Sequence, residues 1–221
     1  MKMTELYLVR HCEAEGNVKR FIQGVIDTDI TTMGEKQLVH LGERFKDIDI
    51  DLVLASPLKR TVATAHAIAD QKGLDVIKKD GFIEMNCGVY ECFPFEKAFA
   101  NKDFAYMWNN RPQDFAPEDG ETQPQVYERI WNAVLQTVSE NKGKRIAVAT
   151  HGGVLRCLLC RLLFGDLEYL SQVPYGFNTA VTLLRFDDDM NPELVFYNDD
   201  THLPPDCIPE DSRVPDVAEE Q

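Results

Sequence analysis

Two apolar runs in this chain end in histidine. Leu6-Tyr7-Leu8-Val9 passes into Arg10-His11-Cys12, and Arg145-Ile146-Ala147-Val148-Ala149-Thr150 into His151-Gly152-Gly153. A third run, Asp51-Leu52-Val53-Leu54-Ala55, passes into Ser56-Pro57-Leu58-Lys59-Arg60. A neutral imidazole is a nucleophile near neutral pH, and guanidinium binds phosphate oxygens in bidentate fashion. Arg10, His11, Arg60 and His151 therefore read as a metal-free basket for a phosphoryl group, in which one imidazole attacks phosphorus and carries the group covalently. Gly152-Gly153 ahead of a helix lets backbone approach the same place, and helix N-termini favour anions. Singly, each residue has a plainer reading. Arg10 and His11 could begin a solvated loop, Arg60 could be a solvated helix residue, and His151 could simply pack. Their placement at three strand ends argues against coincidence.

Apolar runs of this length, bounded by turn signals, read as strands buried on both faces. In open α/β sheets the carboxyl ends of such strands are where ligands bind. Thr32-Met33-Gly34-Glu35 reads as a capping box before Leu38, Leu41, Phe45 and Ile48 at helical spacing. Ser56-Pro57 reads as an N-cap and first helical position for an Ala-rich helix reaching towards Gly73, with Leu74–Ile77 as a third strand. Val126, Ile130, Val134 and Val138 lie along one face of a long helix. Ala180–Phe186 and Glu193–Tyr197 predict two more strands, joined by turn residues as an antiparallel hairpin. Strands alternating with helices predict an α/β fold with a mainly parallel sheet. One domain is expected over 1–203, with an aromatic, partly helical excursion at about 85–121 that could roof a pocket or form a second small core. From Asn198 the chain turns acidic and Pro-rich, a tail expected to be disordered or draped on the surface, with 204–221 outside the domain.

The net charge of -14 argues against nucleic acid or an anionic membrane as partner, while a few arginines can still make a basic pocket for a small phosphorylated metabolite. No apolar run reaches the ~18 residues of a bilayer span, and Met1–Glu5 shows no leader-like apolar region, so a cytoplasmic protein is expected. A homodimer is left open. The cysteines form no disulfide framework, and Cys157 and Cys160, on an apolar helical run, read as packed thiols rather than a redox or zinc pair. His40 and His66, within helices, read as structural, and His202 as peripheral.

The chain resembles the histidine phosphatase superfamily, its phosphoglycerate mutase-like branch. Arg10-His11-Cys12 with Glu13, Asn17, Gln23-Gly24, Asp27, Thr31 and Gly34 matches the first block, and Ser56 to Thr61 with Thr64-Ala65 the second. Glu84 with Gly88-Val89-Tyr90-Glu91 matches the third, and Thr150 to Arg156 the fourth. The resemblance covers roughly residues 4 to 203 and implies a three-layer α/β/α sandwich. It implies that His11 becomes phosphorylated, that Arg10, Arg60 and His151 hold the phosphoryl group, and that Asn17, Gln23, Gly24 and Gly152 help bind it. Glu84 would protonate the leaving alkoxide and then activate water, with Glu91 as the rival acid. No metal or cofactor is implied, except 2,3-bisphosphoglycerate were the chain a mutase. Cys12 departs from the family's usual Gly or Ala and leaves a thiol beside the chemistry. Tyr90 replaces a common Trp, and Cys92 a common Gly.

The family's mutases carry a longer, basic middle insertion, whereas Glu84 to Arg129 here holds only Lys97, Lys102 and Arg111. Gly88 to Glu91 and Gly120-Glu121-Thr122 look like the phosphatase pattern, so a phosphatase is the expected activity and a mutase the alternative. A module that binds a phosphorylated ligand without catalysis is the rival from outside the enzymes. A cysteine phosphatase built on His11-Cys12 would need an Arg where Val18 stands.

Overall fold

The computed structural model describes residues 3–208. Six strands form one sheet: β1 Thr4–Arg10, β2 Leu52–Ala55, β3 Val76–Lys78, β4 Arg145–Thr150, β5 Val181–Phe186 and β6 Pro192–Asp199, in the order β3-β2-β4-β1-β5-β6. Pairing is parallel from β3 through β1, while β5 runs antiparallel to β1 and to β6. The mainly parallel α/β reading with a C-terminal hairpin therefore holds. Pro192 begins β6, and an edge strand tolerates a residue without an N–H.

The strand side chains alternate between two cores. Leu6, Leu8, Leu54, Ile146 and Val148 face one layer with α6 (Gln123–Glu140) and α7 (Gly152–Leu163). Tyr7, Val9, Val53, Ala147 and Ala149 face the other, with α2 (Thr32–Phe45) and α3 (Lys59–Ala69). The Val126, Ile130, Val134 and Val138 face of α6 is buried as its spacing predicts. Short helices α1 (Glu15–Lys19), α4 (Phe95–Ala100) and α5 (Lys102–Asn110) lie in the segments beyond the strand ends.

Two caps differ from expectation. Thr31, not Thr32, caps α2: its Oγ1 accepts from the Gly34 N–H at 3.0 Å and donates to Glu13 Oε1 at 2.6 Å. Ser56-Pro57 does not start α3, whose N-cap is Leu58 with no side-chain cap. Ser56 is instead drawn into the strand-end cluster described below. The start of the segment expected as a tail packs on the domain. Leu203 and Cys207 are buried, the Cys207 carbonyl accepts from Gln37 Nε2 on α2, and Arg44 pairs with Asp199. Only 209–221 of the predicted tail lie outside the described residues. Cys157 and Cys160 are packed thiols on α7, pushed up by burial to about 12 and about 11.

Removing the Thr31 hydroxyl deletes a helix cap and its link to Glu13 together. Thr31→Ala is expected to lower stability by about 1–2 kcal/mol, read as a lower urea midpoint at unchanged slope.

Candidate active site

The register of the sheet brings the basic residues together. Arg10 is opposite Thr150, so the residues that follow, His11 and His151, emerge side by side with ring centroids 5.3 Å apart. The His11 N–H still bonds to the Thr150 carbonyl, at 2.9 Å. Behind this corner the chain turns at Asn178 and Thr179. Asn178 Nδ2 donates to the His11 carbonyl and the Thr179 N–H to that of Arg10. Thr179 does this at φ +63°, a left-handed conformation that strains a β-branched residue.

His11 Nδ1 lies 2.7 Å from its neighbour's carbonyl, that of Cys12. A carbonyl only accepts, so Nδ1 carries the proton and Nε2 keeps its lone pair. Burial first, then Arg60 and Arg10, hold this imidazole well below the usual histidine value. His151 is likewise held down by burial, Arg60 and His11, with its Nε2 2.7 Å from Ser56 Oγ. Both rings are therefore neutral near pH 7.

The predicted residues fall into two shells. Arg10, His11, Asn17, Gln23, Glu84 and Gly152 line one cavity. Arg60, His151 and Gly24 are buried and do not line it. The Arg60 guanidinium, wholly buried, donates to the carbonyls of Ile26 and Gly24, both at 2.8 Å. Arg10 donates Nη1 to the Gly176 carbonyl, while the Nε atoms of both arginines and His151 Nδ1 have no partner.

Glu84 sits at the N-terminus of α7. One carboxylate oxygen accepts from the Gly153 N–H at 2.8 Å, the other from Val154 and Met85. A Cβ on Gly153 would lie 2.6 Å from Glu84 Oε1, so glycine is what permits the approach. The rival carboxylate is accounted for otherwise: Glu91 accepts from the N–H groups of Gly24, Val25, Ile26 and Cys87 and does not line the cavity. Cys12 is also no part of the wall. It is fully buried, its Sγ is turned towards the Arg60 carbonyl, and burial pushes its thiol up to about 11.

Several supports were not legible beforehand. Arg129 clasps Glu121 with two 2.8 Å bonds and donates to the carbonyls of Gly81, Ile83 and Glu84, fixing the segment that carries Glu84. Arg156 and Tyr175 add to the cavity wall, with the guanidinium 4.3 Å from the ring centre. The aromatic excursion contributes Phe95, Phe99, Phe104 and Trp108 to the same wall. His202 is bonded to Arg44 and Thr179 away from the cavity. Among the described residues no cluster of His, Cys, Asp and Glu could hold a metal ion, and no helix is long and apolar enough to cross a membrane.

The depressed histidines make stability depend on pH. Below about 6.5 the unfolded chain takes up protons that the folded His11 and His151 refuse, so the folded state loses stability as pH falls. Each ring contributes a slope of up to about 1.4 kcal/mol per pH unit. Urea unfolding at pH 7.5 and 5.5 is expected to show a smaller loss for His11→Asn and His151→Asn than for the parent.

Residues 6–200 match the family model described as the histidine phosphatase superfamily (branch 1). Phosphoserine phosphatase 1 of Hydrogenobacter thermophilus is 33% identical over 168 residues, 75% of this chain and 79% of that protein. A protein of Salmonella arizonae named probable phosphoglycerate mutase GpmB is 32% identical over 73% of this chain and 75% of its own length. Among solved structures, Bacillus stearothermophilus YhfR superposes with a TM-score of 0.84 at 27% identity, covering 90% of this chain and 98% of that one. A mutant phosphoserine phosphatase of Entamoeba histolytica, solved in complex with phosphoserine, gives 0.79 at 27% identity over 90% and 99%. With four motif blocks gathered at one sheet edge and a family model spanning nearly all of the described chain, this protein belongs to the histidine phosphatase superfamily.

Proposed function

We propose that the protein is a phosphatase that hydrolyses a small phosphate monoester, without a metal or cofactor, through a phosphohistidine on His11. The observation that carries this reading is the state of His11: its Nδ1 proton is bound to a carbonyl, leaving Nε2 unprotonated, with its lone pair, on a residue that shares a cavity with Glu84. Nε2 donates its electron pair to phosphorus as the ester P–O bond breaks. The leaving alkoxide takes a proton from the Glu84 carboxyl. Water then gives that carboxylate a proton and attacks phosphorus, breaking the P–N bond and releasing inorganic phosphate. Arg10, with a partnerless Nε, binds the phosphoryl oxygens. Gly152, Asn17 and Gln23 line the cavity where those oxygens arrive. Arg60 and His151 act from behind, Arg60 by its charge and by holding the Gly24–Ile26 carbonyls. Phosphoryl transfer draws chiefly on such positioned charge.

The mutase alternative has named relatives in its favour. Against it, neither Lys97, Lys102 nor Arg111 of the excursion lines the cavity, so the excursion brings aromatic rings rather than charge to the substrate.

Two measurements test the reading. With p-nitrophenyl phosphate in EDTA, turnover between pH 4 and 8 is expected, and His11→Ala should lose it by about 10³-fold or more while staying folded. Trapped phosphoenzyme should be acid-labile and alkali-stable; the reverse stability would mark Cys12 instead. Gly153→Ala crowds a carboxylate rather than backbone, so it should lower kcat/KM by on the order of 10²-fold, with an unfolding change under about 1 kcal/mol.

A further inference from the structure

The cavity at His11 has two kinds of lining. The side that meets the phosphoryl group carries Arg10, His11 and Glu84. The same cavity is bordered by five rings, Phe21, Phe95, Phe99, Phe104 and Trp108. Part of that wall is a small core in its own right. Phe104 and Phe115 are 4% and 5% exposed and meet edge to face at 5.4 Å, and Trp108 stacks on Phe104 at 5.7 Å. This core explains Phe104 and Phe115. It does not explain why Phe21, Phe95, Phe99 and Trp108 remain only partly covered and border one cavity. Beside the rings the cavity carries Asn17, Arg20, Gln23, Gln123, Arg156 and Tyr175, so the rings are the apolar part of a mixed cleft, which suits the apolar part of a ligand that also carries a charged group.

The polar complement argues the same way. Glu84 is the one carboxylate among the residues lining the cavity, and both its oxygens already accept backbone N–H groups. The ammonium of an amino-acid substrate would meet no second carboxylate in this lining, and burying such a charge unpaired is costly; its carboxylate alone would find cations, since Arg20 and Arg156 border the cavity.

We infer that the substrate is a phosphate monoester whose alcohol carries an apolar ring, seated against Phe95, Phe99 and Trp108, rather than a small charged ester such as phosphoserine. This rests on the phosphatase reading for its chemistry, though not for its binding. Offset or edge-to-face contact with several rings holds a flat apolar group and leaves the ester oxygen towards Glu84.

The test compares 2-phenylethyl phosphate, ethyl phosphate and O-phosphoserine, whose leaving groups are all primary alcohols. The ring ester is expected to exceed both others in kcat/KM by roughly 10- to 100-fold. Phe99→Ala and Trp108→Ala should each shrink its advantage over ethyl phosphate several-fold. Calorimetric binding of the same esters to His11→Ala should give the same ranking without turnover. Phosphoserine equal to or better than the ring ester, or an advantage untouched by both wall variants, would overturn the inference and leave the phosphatase standing. Ring-selective binding with no hydrolysis of any ester by the parent protein would support the inference and remove the phosphatase.

Discussion

The parallel pairing of β1 with β4 is the constraint on which the rest depends. With Arg10 opposite Thr150, the two imidazoles have nowhere to go but a shared corner 5.3 Å across. Sheet pairing is all or nothing in register, since a one-residue slip would turn Leu6 and Leu8 into the opposite core. The position of His11 is thus secured by the burial of side chains outside the cavity. The antiparallel neighbour β5 closes the corner from the other side, and the strained Thr179 turn is kept because its N–H holds the Arg10 carbonyl.

That corner concentrates two guanidinium groups and two imidazoles out of water, and the structure meets the cost in two ways. The imidazoles stay neutral. The guanidiniums stay charged but are bonded to carbonyls of Gly176, Gly24 and Ile26. Three polar atoms are still left without a partner: Nε of Arg10, Nε of Arg60 and Nδ1 of His151. Buried polar atoms without partners are rare, and of these three residues only Arg10 borders the cavity, where its Nε is open to an anionic group. Glu91 adds a second economy. By collecting the N–H groups of Gly24, Val25 and Ile26 while Arg60 collects carbonyls of the same turn, it locks the loop bearing Gln23 and leaves Glu84 as the carboxylate of the cavity.

How much of this was legible in the sequence follows from the range of each interaction. Strand ends at His11 and His151 could be read because a buried strand and its polar terminus are contiguous in the chain, and Glu84 because its motif block is local. Ser56 could not: as Ser-Pro it carries a strong cap signal, and only the His151 side chain, 95 residues away, shows its other use. Glu91 and Glu84 were rivals for the same reason, two carboxylates in one short segment, distinguishable only by which backbone N–H groups each meets. Arg129 gave no signal beyond being an arginine on a helix. Its work is to hold Gly81, Ile83 and Glu84 through carbonyls that no side-chain pattern reveals. Acidic and Pro-rich composition leaves a tail free or draped, and says nothing of Leu203 and Cys207, which are buried, with the Cys207 carbonyl bonded to Gln37 on α2.

The division between sheet edge and excursion also bears on water. A phosphohistidine is hydrolysed only if water reaches it in line with the P–N bond, and is preserved only if the site keeps the leaving group bound for return. Retention would require contacts to the departing alcohol that outlast bond breaking, which for a small acid means fixed charges. Here α4 and α5, joined at Asn101, which caps α5, offer rings in the cavity wall. Apolar contact holds a ring-bearing alcohol without directing its hydroxyl back to phosphorus, and leaves Glu84 free to work on water. Under the proposed phosphatase chemistry, the wall that would seat the alcohol would also favour hydrolysis over return.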